Sequence, residues 1–305
     1  MATVCKVLEP RGLRIRFADL SNPQSAADAI TRDTKMVFCE SLSNPLLTAC
    51  DLRLLARLAH ARQALLCVDA TALSPYLQQP LRLGADLVVH SATKYLGGHG
   101  DLTAGVVAVR EEALARELAF LQNAEGTALS PFDSFLLLRG VQTLALRLDR
   151  QQQNAQQVAE WLSHRVGVAQ VRFPSLAHHE TARVHQGQSS GPGAVVSFCT
   201  GDLKISKQLV ESLRLFRIAV SFGGVQSSAS LPCSMSHRSM HVAARVERHL
   251  AEDLVRLSIG IEDVRDLIQD LDQAIARSTS SNVGRSLATE SLAPRSECGV
   301  QHHSD

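Results

Sequence analysis

The sequence has almost no excess of charge: 31 Lys and Arg against 30 Asp and Glu leave a net charge of +1 over 305 residues. No basic field therefore recommends a nucleic acid or an anionic membrane as partner. It also lacks any run of about 18 apolar residues, which argues against a membrane-spanning helix. The N-terminus shows neither a secretory apolar segment with a small-residue cleavage site nor a Ser- and Arg-rich transit segment. The expectation is a soluble intracellular protein. The seven cysteines (Cys5, Cys39, Cys50, Cys67, Cys199, Cys233, Cys298) include no CxxC pair, and several sit in apolar runs, so they read as reduced core residues. No GxGxxG or Walker-type loop follows an apolar run, and "GGHG" lacks the spacing, which disfavours a nucleotide-binding domain. There is no internal repeat.

What is present is apolar content for one large or two medium cores, 45% of residues being hydrophobic. From Lys35 to Val109, short apolar runs alternate with helical patterns: "KMVFCES", "DLRLLARLAHAR", "ALLCVDA", "LRLGADLVVHSATK", "TAGVVAV". Continuous apolar runs of that length suit strands covered on both faces of a parallel or mixed sheet in an α/β domain. Asp51 is a natural N-cap for the first helix. Ligands of such sheets collect beyond the carboxyl ends of the strands. Asn44, Asp69, Ser91, Thr93 and Lys94 all follow strands and could share that rim; each could equally be a turn or cap residue.

Ser130 to Arg165 reads as one or two long helices with a possible break at Gly140, leading into a second, α+β domain. There "AVVSFCT", "RIAVSFG" and "LVRLSIG" read as strands, "KISKQLVESLRLF" and "EDVRDLIQDLDQAIA" as helices. The loop from Ala177 to Gly193 has His178, His179 and His185; without Cys partners at ligand spacing it reads as a solvated connector rather than a metal site. The expected divisions are 1–140, 141–277, and a disordered tail over 278–305.

Lys94 stands between Ser91/Thr93 and a glycine run. A lysine that loses charge on desolvation can form a Schiff base or shuttle protons. Pyridoxal phosphate (PLP) chemistry needs such a lysine, a carboxylate for the pyridine nitrogen, and phosphate donors. Lys94, Asp69 and the Ser91/Thr93 pair match that list.

The stretch "VDATALSPYLQQPLRLGADLVVHSATKYLGGHGDLTAGVVAV" resembles the signature of the PLP enzymes of cysteine and methionine metabolism, the trans-sulfuration family, and the likeness runs from about Arg14 to Ile275. "FLQNAEGTALSPFDSFLLLRGVQTLALRLDRQQQNA" and "IAVSFGGVQSSASLPCSMSHRSM" resemble plant-type cystathionine β-lyases more than γ-synthases or γ-lyases. The resemblance implies an α/β fold of the PLP-dependent transferase type I (aspartate aminotransferase-like) and β-elimination from cystathionine. It implies Lys94 as the Schiff-base lysine, Asp69 as partner of the ring nitrogen, Ser91 and Thr93 as phosphate contacts, and Asn44 as a donor to the ring hydroxyl. It further implies Ser221 beside the substrate and Lys94, and Arg256 as the clamp on the substrate α-carboxylate, which a bidentate fork suits. An amino-acid substrate and a homotetrameric dimer of dimers are the implied partners, and the plant-type likeness implies a plastid as the alternative to the cytoplasm.

Family members carry, upstream of the matching part, a Tyr-x-Arg segment, a Gly-rich turn opening a helix under the phosphate, and a ring-stacking tyrosine. The sequence begins after all three, so the expectation is an N-terminally truncated large domain with apolar surface left uncovered and weakened PLP binding. Ala70 stands where Asn is usual, and Ser228 where Leu is usual. The alternatives are a γ-synthase or γ-lyase of the same family and, from another class, a non-catalytic remnant.

Overall fold

The computed structural model describes residues 7–236, 238 and 242–290. After α1 (Pro23–Ala29), the chain forms β1 (Met36–Glu40), α2 (Leu52–His60), β2 (Leu65–Asp69), the short α3 (Ser74–Leu77), β3 (Leu87–Ser91) and β4 (Gly105–Val109). These strands make one sheet in the order β1-β2-β3-β4, the first three parallel and β4 antiparallel to β3. The Asp51 carboxylate caps α2 by accepting from Leu54 N at 2.9 Å. Leu52, Leu55, Ala56 and Ala59 form the buried stripe of α2, at the spacing that places side chains on one helical face. That stripe packs with Val37, Cys39, Leu66, Val68 and Val88 in one core cluster.

The opposite face of this sheet corrects the expectation of cover on both sides. Register places Met36 with Leu65, Phe38 with Cys67 and Glu40 with Asp69; Met36 is 47% exposed, Phe38 57% and Val107 51%. These exposed residues lie on the edge strands: Leu66, Cys67 and Val68 of β2 and Leu87 and Val88 of β3 are buried on both faces, whereas β1 alternates exposed and buried although its residues are nearly all apolar.

The connector is α4 (Glu112–Glu125), α5 (Pro131–Val141) and α6 (Leu144–Ser163). Ser130 caps α5 by accepting from Asp133 N, with Pro131 in the first turn, where a missing N–H costs nothing. The break expected near Gly140 falls between α5 and α6. A Cβ on Gly140 would collide with Gly97 O and lie 2.8 Å from Leu96 O, so glycine lets α5 press directly on the turn that follows Lys94.

The second sheet has the order β5-β6-β9-β8-β7: β5 (Gln170–Arg172), β6 (Val195–Cys199), β9 (Val255–Ser258), β8 (Ser228–Ser230) and β7 (Arg217–Ile218). Around it lie α7 (Ala182–Gln186), α8 (Leu203–Ser212), α9 (Val242–Glu247) and α10 (Val264–Glu290). The strand expected over "RIAVSFG" is only the pair Arg217–Ile218. The Ser-Ala-Ser strand β8 has no apolar pattern to announce it and exists through pairing with β9. One core cluster unites Leu47, Leu73 and Tyr95 of the first half with Phe198, Leu257 and Leu271 of the second.

Two further expectations are revised. The His-bearing segment is not a solvated connector: His179 is 7% exposed and His185 3%, and no group of three or more potential metal ligands occurs among the described residues. Residues 278–290, expected to begin a disordered tail, continue α10, with Ser278 buried and its hydroxyl bonded to Ile275 O; residues 291–305 lie outside the described residues. Cys39, Cys50, Cys67, Cys199 and Cys233 are buried free thiols, and burial pushes Cys67 and Cys199 up to about 11, away from thiolate chemistry. Cys5 and Cys298 lie outside the described residues. No described helix is long and apolar enough to cross a membrane.

Candidate active site

Parallel pairing brings the ends of β1, β2 and β3 to one rim, and a chain of hydrogen bonds continues from them. Asp69 Oδ1 accepts from Thr71 N at 2.9 Å, Thr71 Oγ1 accepts from Ser91 N at 2.8 Å, and Ser91 O accepts from Lys94 N at 3.1 Å. Asp69 therefore serves as a turn former through one oxygen; its Oδ2 has no hydrogen-bond partner among the described residues. Ala70, fully buried, joins β3 by donating to Val89 O. The Thr93 hydroxyl is already engaged, accepting from Ala104 N at 3.0 Å. Burial lowers the proton affinity of the neighbouring His90, against the opposing Asp69 charge.

Lys94 is half-buried and its Nζ donates to Ser221 Oγ at 2.8 Å. Loss of hydration pulls its pKa below the ordinary lysine value, and the Arg256 charge adds to the shift. The Phe222 ring lies 5.1 Å from Lys94 Nζ and 5.5 Å from the Arg256 guanidinium carbon, centroid to atom, and meets Tyr95 edge-on. Next to it, Gly223 has φ +84° and a Cβ there would stand 2.9 Å from Tyr95 N, so only glycine carries the chain past Lys94 at this distance.

Arg256 is on the central strand β9 and is 1% exposed. Its Nη2 donates to Val220 O at 2.8 Å and Ser221 O at 3.0 Å, its Nη1 to Asn44 Oδ1 at 3.1 Å. Its Nε is buried without a partner, and no carboxylate pairs with it among the described residues. Burial pushes the guanidinium down to about 10, with Tyr95 opposing. The contacts close a circuit: Lys94 to Ser221, Ser221 to Arg256, Arg256 to Asn44, and, through Asn44 N to Glu40 Oε2 at 3.0 Å, back to the strand beside Asp69. A half-buried lysine of low proton affinity and a buried, uncompensated guanidinium thus face one serine. That arrangement suits a ligand with an amino group or carbonyl at one end and a carboxylate at the other.

Comparison with known proteins agrees. A family model described as Cys/Met metabolism PLP-dependent enzyme matches residues 2–276. The chain belongs to that family.

Within the family, the sequence is 48% identical over 270 residues to a chloroplastic cystathionine beta-lyase from Mimosa pudica, matching 88% of this chain and 59% of that protein. It is 47% identical to a cystathionine beta-lyase from Neurospora crassa, with 88% of this chain and 58% of that protein matched. The chain thus spans about three fifths of the length of these curated relatives. Among solved structures, cystathionine gamma synthase from Xanthomonas oryzae pv. oryzae in complex with cystathionine superposes with TM-score 0.89 at 42% identity, over 91% of this chain and 72% of that one. The fold is that of the PLP-dependent fold-type I enzymes, as the resemblance implied.

Asn44, Lys94, Ser221 and Arg256 are brought into one contact network, and Asp69 and Ser91 adjoin it; Thr93 is adjacent with its hydroxyl occupied. Sequence reasoning passed over Phe222, Glu40 and Thr71. Phe222 follows Ser221 directly, and an aromatic flanking a candidate site in a glycine turn was the available signal; Thr71 and Glu40 carry no local pattern. Ser228 is a nearly buried strand residue whose hydroxyl donates to Ser221 O at 3.4 Å.

Proposed function

We propose that the protein is a PLP-dependent carbon–sulfur lyase that eliminates homocysteine from L-cystathionine, leaving pyruvate and ammonia, in methionine biosynthesis. The observation that carries this reading is Arg256, a buried guanidinium without a counter-ion, beside the low-affinity amine of Lys94. Arg256 would clamp the substrate carboxylate through its free N–H groups. Ser221 would hold Lys94 Nζ in line with the substrate Cα, where the neutral amine removes a proton, a task that a depressed lysine pKa favours.

The donor set fits PLP. Asp69, with Oδ2 unengaged, would hold the proton on the ring nitrogen, Asn44 Nδ2 would donate to the ring hydroxyl, and the Ser91 hydroxyl would meet the phosphate. Thr93, committed to Ala104, would shape the turn and contribute less to phosphate binding. When bound, PLP supplies the electron sink for charge developing at Cα.

The cystathionine-bound gamma synthase relative supports a second reading inside the family, γ-synthesis or γ-elimination. Pyruvate as the keto acid released from cystathionine marks the β-lyase and 2-oxobutyrate the γ-lyase, whereas a γ-synthase needs an activated homoserine ester and cysteine. We also propose a division near residue 140, supported by the two separate sheets. A homotetramer is supported by the apolar exposure of Phe120, Phe132, Phe135 and Leu138, from 61% to 70%. The chloroplastic relative supports a plastid over the cytoplasm.

The test is reconstitution with PLP, borohydride reduction and peptide mass spectrometry, with Lys94→Ala as control. A saturable adduct on Lys94, absent in the control, is expected. Scattered, non-saturating modification overturns the reading and favours a non-catalytic chain.

A further inference from the structure

Asn44 is the only side chain that touches Arg256 among the described hydrogen bonds; the other acceptors are the backbone carbonyls of Val220 and Ser221. The two carbonyls hold Nη2, and the bond on Nη1 goes to Asn44 Oδ1, so Asn44 is the side chain that anchors the other arm of the fork.

Two side chains from different halves of the molecule bracket that residue. On one side, Glu40 Oε2 accepts from Asn44 N at 3.0 Å. On the other, the fully buried Ser197 donates from Oγ to Pro45 O at 2.7 Å, and Ser197 is the register partner of Arg256 across β6 and β9. Between them the loop is closed on itself by Ser43 N to Thr48 O at 2.9 Å and Leu47 N to Ser43 O at 2.8 Å. Pro45 has no N–H, so the peptide around Asn44 has one donor to hold, and Glu40 holds it.

Glu40 does not sit at a position that stability alone would choose for a carboxylate. It ends β1 on the open face of the first sheet, in register with Asp69 on β2, and like charges on neighbouring strands repel. A neutral acceptor would serve the loop with less repulsion, whereas a carboxylate is the stronger acceptor for a backbone N–H.

We infer that Glu40 is a positioning residue: it anchors Asn44 so that Asn44 Oδ1 aims the Arg256 fork at the carboxylate of an α-amino acid. The ligand class rests on the function proposed above. Glu40 touches no reacting group and acts through two links, Asn44 N and Asn44 Oδ1.

The experiment compares wild type, Glu40→Ala and Glu40→Gln in two ways. In the cofactor-free protein, nitrogen-15 NMR of the arginine side chains reads the rotation of the Arg256 guanidinium. Separate Nη1 and Nη2 signals are expected in wild type and averaged signals in Glu40→Ala. In the PLP-loaded protein, absorbance titrations with glycine and with methylamine separate carboxylate recognition from amine recognition. Glu40→Ala should bind glycine about tenfold more weakly, the scale of one lost charge-assisted bond, with methylamine unchanged. Glu40→Gln, whose amide oxygen still accepts from Asn44 N, should lie within about threefold of wild type. An unchanged glycine affinity in Glu40→Ala, a parallel loss of methylamine, or a Gln variant no better than the Ala variant overturns the inference. If the wild type binds no PLP, the proposed lyase function fails while the NMR comparison still decides the role of Glu40.

Discussion

Replacing Arg256 by Met tests whether the protein carries this guanidinium for a ligand or for its own fold. Arg256 heads the largest fully buried side chains, and burial lowers its proton affinity to about 10, a displacement worth about 3 kcal/mol in the folded state. The sign follows from linkage: a group with a depressed folded pKa penalises folding below that pKa, so at pH 7 the penalty is present in full. Arg256→Met removes it. The substitution also strands three acceptors, Val220 O, Ser221 O and Asn44 Oδ1, at about 1 kcal/mol each. The two effects nearly cancel, and Met is long and flexible enough to fill much of the space. The expected stability change at pH 7 is within about 2 kcal/mol, a shift of only several degrees in Tm, followed by urea and thermal unfolding with circular dichroism. Glycine affinity of the PLP-loaded variant should fall at least about a hundredfold, as loss of a bidentate charged contact requires. A stability loss above about 5 kcal/mol would show that the guanidinium is a structural element and refute the reasoning. An unperturbed melt with unperturbed glycine binding would refute the carboxylate role.

Other expectations concern the same network and its supports. Adduct formation on Lys94 should begin at a lower pH than on an ordinary lysine, and its midpoint should move up in Arg256→Met, because the Arg256 charge helps hold Lys94 down; a pH series with borohydride trapping reads both. Gly140→Ala should cost at least about 2 kcal/mol in urea unfolding, since its Cβ would meet Gly97 O and Leu96 O; a neutral effect would mean that α5 can move off the glycine turn. His90, His179 and His185 all have proton affinities lowered by burial. Their contribution to stability is complete above about pH 6.5 and is lost as pH falls toward their folded values, while the unfolded chain takes up protons. Urea midpoints at pH 8 and pH 5.5 should show that loss, and Ala at His185 should shrink the difference.

The four strands of the first sheet, the capped helix after Asp51, the break at Gly140 and the rim that holds Asp69, Ser91 and Lys94 were all legible because each is local. Apolar runs, a cap side chain within three residues and a glycine turn act over a few positions. The exposed face of β1 was not legible, because Met36 and Phe38 are as apolar as their buried neighbours and only the placement of α2 on one side distinguishes them. The strand Ser228–Ser230 and the burial of His179 and His185 escaped for the same reason: their composition is polar, and long-range pairing overrides local preference.

By itself the sequence determined most of the strands and helices and which chemical groups they carry: a lysine, a carboxylate, hydroxyls and an arginine of the right types. The tertiary structure alone decided that Ser221, 127 positions from Lys94, accepts from its amine, that Asn44, 212 positions from Arg256, takes a bond from its guanidinium, and that Glu40 anchors that asparagine. Proton affinities, orientation and burial depend on distances through space, and separations of that length leave no periodicity along the chain.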